Sequence, residues 1–364
     1  MRVKLKDITK FSKGTQINGK NLIDDGAYSY LNGGINPSGK WNEFNVAENT
    51  VTISEGGNSS GYVNYMNKAF WCGAHCYYLY DGPKNSKYLY YALKSQQERL
   101  FRIRSGACMP NIKKSDLGNF VIEYEKDEIR QEEVVKVLEK CELLIEDYNK
   151  KLALLDEAVR ARFVEMFGNL RINDKGWKYY KLDELTELIT DGEHATPKRT
   201  ADGIYLLSAR NVLNHHLSLE DVDFIDCDEF DRISRRIIPR EGDVLISCSG
   251  SIGRCCVVPK NIKFQMVRSV ALLRFKSNIN PVFAEYMITS DYLQDQINKS
   301  KTASSQANLF QGKIKSLKGV LPPLELQNQF ASFVEEVDKS RSRIQKSLEA
   351  SQELFDSLMQ EYFG

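Results

Sequence analysis

The sequence lacks the parts that most function classes require. No apolar run approaches the roughly 18 residues of a membrane-spanning helix. The opening MRVKLKDITK is basic but has none of the apolar stretch of an export signal. Eight cysteines without such a signal point to free thiols in a reducing cytoplasm, not to a disulfide framework. Catalytic hardware is missing as well. No Asp-Pro-Pro or Asn-Pro-Pro precedes an aromatic, the loop with which amino-methyltransferases grip an extruded base. Pro322-Pro323 stands between Leu321 and Leu324 and suits a helix entry instead. No acidic residue lies two positions before a lysine, so the usual metal-dependent nuclease signature is absent. Neither a Walker A loop nor G-x-G-x-x-G is present.

Histidine is scarce, with four in 364 residues. His75 sits in Cys72-Gly73-Ala74-His75-Cys76, which offers at most three metal ligands and has no second Cys/His pair suitably placed. Burial in a strand pair is the better expectation, because free cysteine is so readily buried. His194 lies in the turn-rich Asp191–Pro197 segment without an evident nucleophile, which favours surface recognition or solvation over general-base work. His215-His216 reads as a solvated loop. No catalytic residue, metal site or cofactor is expected on this chain.

What is present comes twice. Glu165-Met166-Phe167-Gly168 and Glu361-Tyr362-Phe363-Gly364 stand 196 residues apart, too far for a solenoid period and right for two large copies. Upstream of the first, Val134, Leu138, Cys141, Ile145, Tyr148, Leu152, Leu155, Val159, Arg162 and Met166 alternate steps of four and three. Upstream of the second, Phe330, Val334, Val337, Arg341, Ile344, Leu348, Ser351, Phe355, Leu358 and Tyr362 do the same. This is the heptad seam of a coiled coil, broken only at Arg162, Arg341 and Ser351. The net charge of +1 divides unevenly. Each helical stretch (125–167 and 323–363) is −4, while the globular stretches are +6 (1–124) and +3 (168–322). Basic globes on acidic helices suit a polyanion partner for the globes and a different partner for the helices.

The globular stretches repeat too. Val51-Thr52-Ile53-Ser54 with Gly56-Gly57 matches Val244-Leu245-Ile246-Ser247 with Gly250, each a β-branched run, a glycine turn and a returning strand. Val3–Ile8 resembles Tyr180–Leu185. Ala107-Cys108-Met109-Pro110-Asn111-Ile112 matches Ser304-Ser305-Gln306-Ala307-Asn308-Leu309, where the asparagine reads as a helix start. Helical stretches are expected at 88–101 and 281–297. The second copy gains residues mainly in 212–242, so the copies share a scaffold and differ in loops, as two readers of different targets would.

These stretches resemble the specificity (S, HsdS-type) subunit of type I restriction–modification systems over the whole chain. ARFVEMFGN (161–169), GWKYYKLDEL (176–185), DGEHATPKRTADGIYLLSARNV (191–212), GDVLISCSGSIG (242–253), QANLFQGKIKSLKGVLPPLELQNQF (306–330) and SLMQEYFG (357–364) carry the likeness. It implies a mixed α/β chain with target-recognition domains at 1–124 and 169–322 and spacer helices at 125–168 and 323–364. The helices would form an antiparallel coiled coil in a pseudo-twofold circular arrangement. It also implies double-stranded DNA as ligand, two methyltransferase subunits and restriction subunits as partners, and S-adenosylmethionine on the methyltransferase subunits only. The first hinge, Glu123-Tyr124-Glu125, departs from the pattern in lacking the proline pair of the second. Polar side chains on the glycine turns and neighbouring loops are the expected DNA contacts. In the first domain these are Lys13, Gln16, Asn32, Asn58, Ser59, Ser60 and Tyr62. In the second they are His194, Thr196, Lys198, Arg199, Arg210, Asn211, Ser249, Ser251 and Arg254. The competing reading is a non-catalytic coiled-coil adaptor that recruits proteins without reading DNA.

Overall fold

A computed structural model describes residues 1–106, 108–299 and 308–364. Ala107 and Ser304–Ala307 of the repeated motif lie outside the described residues. The chain divides into two compact units, Met1–Lys151 with Ile344–Gly364, and Leu152–Arg343.

In the first unit, Thr50–Ser54 is buried along almost its whole length because both of its edges are paired. It lies in an antiparallel sheet ordered Lys10–Lys13, Cys76–Tyr80, Thr50–Ser54, Val63–Met66. A three-stranded sheet packs beside it, with Tyr28–Leu31 between Gly39–Trp41 (antiparallel) and Phe70–Cys72 (parallel). Arg2–Lys4 pairs with Val121–Glu123 at the base. The second unit repeats this order and every strand direction. Its four strands are Thr186–Asp191, Val270–Phe275, Val244–Ser247 and Cys255–Val257. Ile204–Leu207 lies between Asp223–Ile225 and Phe264–Met266, and Tyr179–Lys181 pairs with Lys318–Val320. The added residues of the second copy form a hairpin, Val212–Leu213 with His216–Leu217, and the helix Cys227–Ser234. Phe230 and Ile233 of that helix cover Leu206 and Ile225 of the three-stranded sheet.

The helical stretches expected at 88–101 and 281–297 are each two short helices: Ser86–Lys94 with Gln97–Arg102, and Pro281–Thr289 with Asp291–Lys299. Extended backbone at Ser290 (ψ 150°) forces the second break. The asparagine helix starts are also corrected. The helices there begin at Lys114 and Gln311, capped by Lys113 and Phe310, while Asn111 bridges to Gly56 and Asn308 to Ser249. The asparagines therefore close the glycine turns and do not open the helices. Cys72 and Cys76 are buried against Leu31, Val46 and Phe70. Two of the eight thiols, Cys108 and Cys227, are exposed.

The long helices, Glu128–Phe167 and Leu324–Phe363, run 40 residues each. No position of either heptad line is exposed. In the first unit Val134, Val135 and Leu138 share a core with Met359 and Phe363. In the second, Val159, Phe163, Met166 and Phe167 share one with Phe330, Val334 and Val337. Within each unit the opening of one helix thus packs with the closing of the other. The three seam-breakers have local partners. Arg162 pairs with Glu165 at 2.8 Å, Arg341 with Asp156 at 2.6 Å, and the Ser351 hydroxyl donates to the Ser347 carbonyl at 2.8 Å.

Each helix is also bolted at its entry by a buried glutamine. Gln131 donates to the Glu125 carbonyl at 2.6 Å and the Tyr124 hydroxyl at 3.0 Å. Gln327, 196 residues later, donates to the Pro322 carbonyl at 2.8 Å and accepts the Asn280 amide at 2.8 Å. The hinge that lacks prolines is capped differently, by Glu125 and Asp127 carboxylates accepting the amides of Asp127 and Ile129.

Candidate nucleic-acid interface

One end of each four-stranded sheet gathers three loops onto a common platform. In the first unit they are the glycine turn after Ser54, the turn before Cys76, and the loop after Leu31. The Glu55 amide donates to the His75 carbonyl at 2.8 Å, and the Ile112 amide donates to the Glu55 carbonyl at 2.9 Å. Ser59 and Ser54 hydroxyls both donate to the Gly33 carbonyl, the former at 2.5 Å. The second unit repeats the two backbone bonds at matching positions, while the third acceptor takes a different donor. The Cys248 amide donates to Ser269, the Leu309 amide donates to Cys248 (both carbonyls), and Arg254 Nη2 donates to the Ala209 carbonyl at 2.7 Å. Gly14 and Gly192 hold equivalent places, each leaving no room for a Cβ against the carbonyl of Cys72 or Met266. That is why a glycine follows each unit's first sheet strand.

On this shared backbone the side chains differ. Lys13 occupies the position of Asp191, Gln16 that of His194, Glu55 that of Cys248, and His75 that of Ser269. Lys13 Nζ lies 2.7 Å from Glu55, whose other oxygen is 3.4 Å from His75 Nδ1. Asp191 is held by His194 at 2.7 Å and Arg236 at 2.8 Å. Burial pushes the Asp191 carboxyl up, but those two bonds outweigh it and leave it below the usual range. Asp223 joins Arg199 and Arg210, each at 2.9 Å. Burial likewise opposes ionisation there, and the two arginines again win. Cys248 is buried in the platform, and burial pushes its thiol up to about 12, far from a reactive thiolate.

Most of the expected contact residues are exposed or half-buried. Lys13, Gln16 and Asn58 are exposed, and Asn32 accepts the His75 amide at 3.3 Å. Tyr62 is half-buried under Lys94, whose Nζ stands 3.9 Å from the ring centre. In the second unit His194, Thr196, Lys198, Arg199, Arg210 and Ser251 are exposed, and Ser249 and Arg254 are half-buried. Two expectations are corrected. Ser60 is fully buried, donating to the Glu55 carbonyl at 2.8 Å. Asn211 is fully buried, accepting the Ser208 amide at 2.9 Å and donating to the Ser218 carbonyl at 3.2 Å. Both shape their turns from within and face no ligand. His215 is not merely solvated: its ring stacks on Tyr286 at 3.9 Å and its Nδ1 lies 3.6 Å from buried Glu285.

Arg268, Arg236, Asp223 and Glu55 belong to the surface and were not anticipated. Arg268 is exposed, and its amide donates to the Glu193 carbonyl beside His194. Only strand register reveals them, since they lie outside the quoted motifs. Among the described residues no cluster of three or more His, Cys, Asp or Glu is arranged to hold a metal ion. None of the described helices is long and apolar enough to cross a membrane.

Two matched platforms on tandem α/β units, each tied to long helices, define a duplicated scaffold. The chain belongs to the type I restriction modification DNA specificity domain family, whose model matches residues 1–156 and 174–352. A putative type I specificity subunit of Mycoplasma pneumoniae is 33% identical over 209 residues, covering 50% of this chain and 56% of that protein. One of Mycoplasma genitalium is 32% identical over 201 residues, covering 48% and 52%. The chain thus spans about half the length of the curated relatives it matches. The crystal structure of a type I restriction–modification S subunit from M. genitalium superposes with TM-score 0.68 at 19% identity, over 100% of this chain and 96% of that one. A structure described as underlying complex assembly and conformational transition of the type I system superposes at 0.52 and 14% identity, covering 99% and 96%. At these identities both report the fold.

Proposed function

We propose that this chain is the DNA-reading specificity subunit of a type I restriction–modification complex, each unit reading one half of a bipartite target. The observation that carries the reading is the pair of platforms, with identical backbone bonds and different side chains. Such a pair suits two half-sites of different sequence on one frame. The contacts assigned to DNA are Lys13, Gln16, Asn32, Asn58, Ser59, Tyr62, His194, Thr196, Lys198, Arg199, Arg210, Ser249, Ser251 and Arg254, joined by Arg268. The long helices act as the spacer, paired antiparallel in one coiled coil, and their acidic outer faces dock two methyltransferase subunits, with restriction subunits added to that complex. The chain itself is non-catalytic, S-adenosylmethionine is held by the methyltransferase subunits, and the complex works in the cytoplasm.

Mapping methylated adenines across the host genome with and without the gene tests this. One bipartite motif should vanish when the gene is removed. An unchanged methylation pattern would reject the reading, and binding with no sequence preference in the presence of methyltransferase subunits would favour the adaptor.

A further inference from the structure

Among the described residues, the second unit carries an arrangement that has no equivalent in the first. Asp223 opens an edge strand, opposite Leu206, and its carboxylate accepts Arg199 Nε on one oxygen and Arg210 Nη2 on the other. The matching position in the first unit, opposite Tyr30, is Gly39. Both arginines rise from pinned backbone. Arg199 lies between Lys198, whose amide donates to Glu229 at 3.0 Å, and Thr200, whose amide donates to Phe224 at 3.0 Å. Arg210 lies between Ala209, tied to Ser269 at 3.0 Å, and buried Asn211. The arginine side chains stay 45% exposed, while the carboxylate between them is recessed to 28%.

A carboxylate on a surface meant for DNA opposes phosphate, so its presence needs a positive reason. A recessed acid that binds one edge of a guanidinium fixes the plane of that group and leaves its other N–H donors pointing outward. Arg199, held through Nε, keeps both Nη groups free as an end-on fork. Two parallel donors from one guanidinium match the O6 and N7 acceptors of guanine in the major groove, and they match no other base there. The same fork can also take two phosphate oxygens, so base discrimination, not affinity, is the property that separates the two ligands.

We infer that Asp223 is a positioning residue that presents Arg199 to guanine in the half-site read by the second unit. This rests on the DNA-reading function proposed above. The test is a selection from a random duplex library by the full chain together with its methyltransferase subunits. Wild type should enrich a bipartite motif with guanine in the second unit's half. Asp223→Ala and Arg199→Lys should each lower discrimination at that guanine about tenfold. Positions in the other half, and the melting temperature of Arg199→Lys, should stay unchanged. Asp223→Glu should restore part of the preference. Unchanged base preference in Asp223→Ala and Arg199→Lys would overturn the inference. So would a loss of affinity equal for all bases with a shallower salt dependence, which marks a phosphate grip. Failure of wild type to enrich any motif would overturn the DNA-reading function itself, a result separable from either variant outcome.

Discussion

At Glu229 the carboxylate receives Arg232 Nε and Nη2 at 2.8 and 2.9 Å, together with the Lys198 amide. The Arg232 bonds are the main reason its pKa falls from 4.5 to about 2, against the opposing effect of burial. A carboxyl lowered by folding stabilises the folded state fully above its ordinary value, and that stability disappears as pH falls through the folded value. Glu229→Gln should therefore melt below wild type near neutral pH, and the gap should close between about pH 5 and pH 2. Thermal unfolding across that range checks it. Because Glu229 also anchors the loop bearing Lys198 and Arg199, the proposed function predicts that the same variant weakens DNA binding by the second unit. A second test at this scale concerns Gly14 and Gly192, which have carbonyl oxygens where a Cβ would sit. Alanine at either should destabilise by about 2 kcal/mol or more, read from denaturant midpoints.

Gln131 and Gln327 act at the scale of the element. Each is buried, 3% and 0% exposed, and each joins the first turn of a long helix to the hinge before it. Truncating either to alanine leaves a buried hinge acceptor unpartnered, the Tyr124 hydroxyl in one and the Pro322 carbonyl in the other, at a cost of about 1–3 kcal/mol. Closely similar losses are expected for the two, measured by denaturant unfolding. Phe163 meets Phe167, Phe283, Tyr286 and Phe330. Phe163→Ala should cost about 3–5 kcal/mol. The heptad lines were legible because every residue on them has to face a neighbour, and even Arg162 and Arg341 kept the spacing. The glycine turns were legible for a similar reason, since few residues other than glycine fit there. Gln131 and Gln327 were missed because a glutamine near a helix start reads as surface. Ser60 and Asn211 were misjudged for the same reason: polarity suggests exposure until the hydrogen-bond partners are known. Arg268 and Asp223 required register, which no local pattern encodes.

For the whole molecule the modular reading makes two predictions. Exchanging residues 177–322 for those of another family member should change one half of the methylated motif and leave the other intact. A change in both halves, or in neither, would defeat modularity. Inserting seven residues at matched levels of both long helices adds about 10 Å. The spacer between the half-sites should then grow by about three base pairs, visible in the same methylation map.

The two exposed thiols give this chain a reporter that needs little engineering. Cys108 lies in the first compact unit and Cys227 in the second, while the other six cysteines are buried. Maleimide chemistry under native conditions should therefore attach one dye to each unit, yielding a donor–acceptor pair in the natural sequence. Energy transfer within that pair would follow, in real time, any rearrangement of the units when a partner arrives.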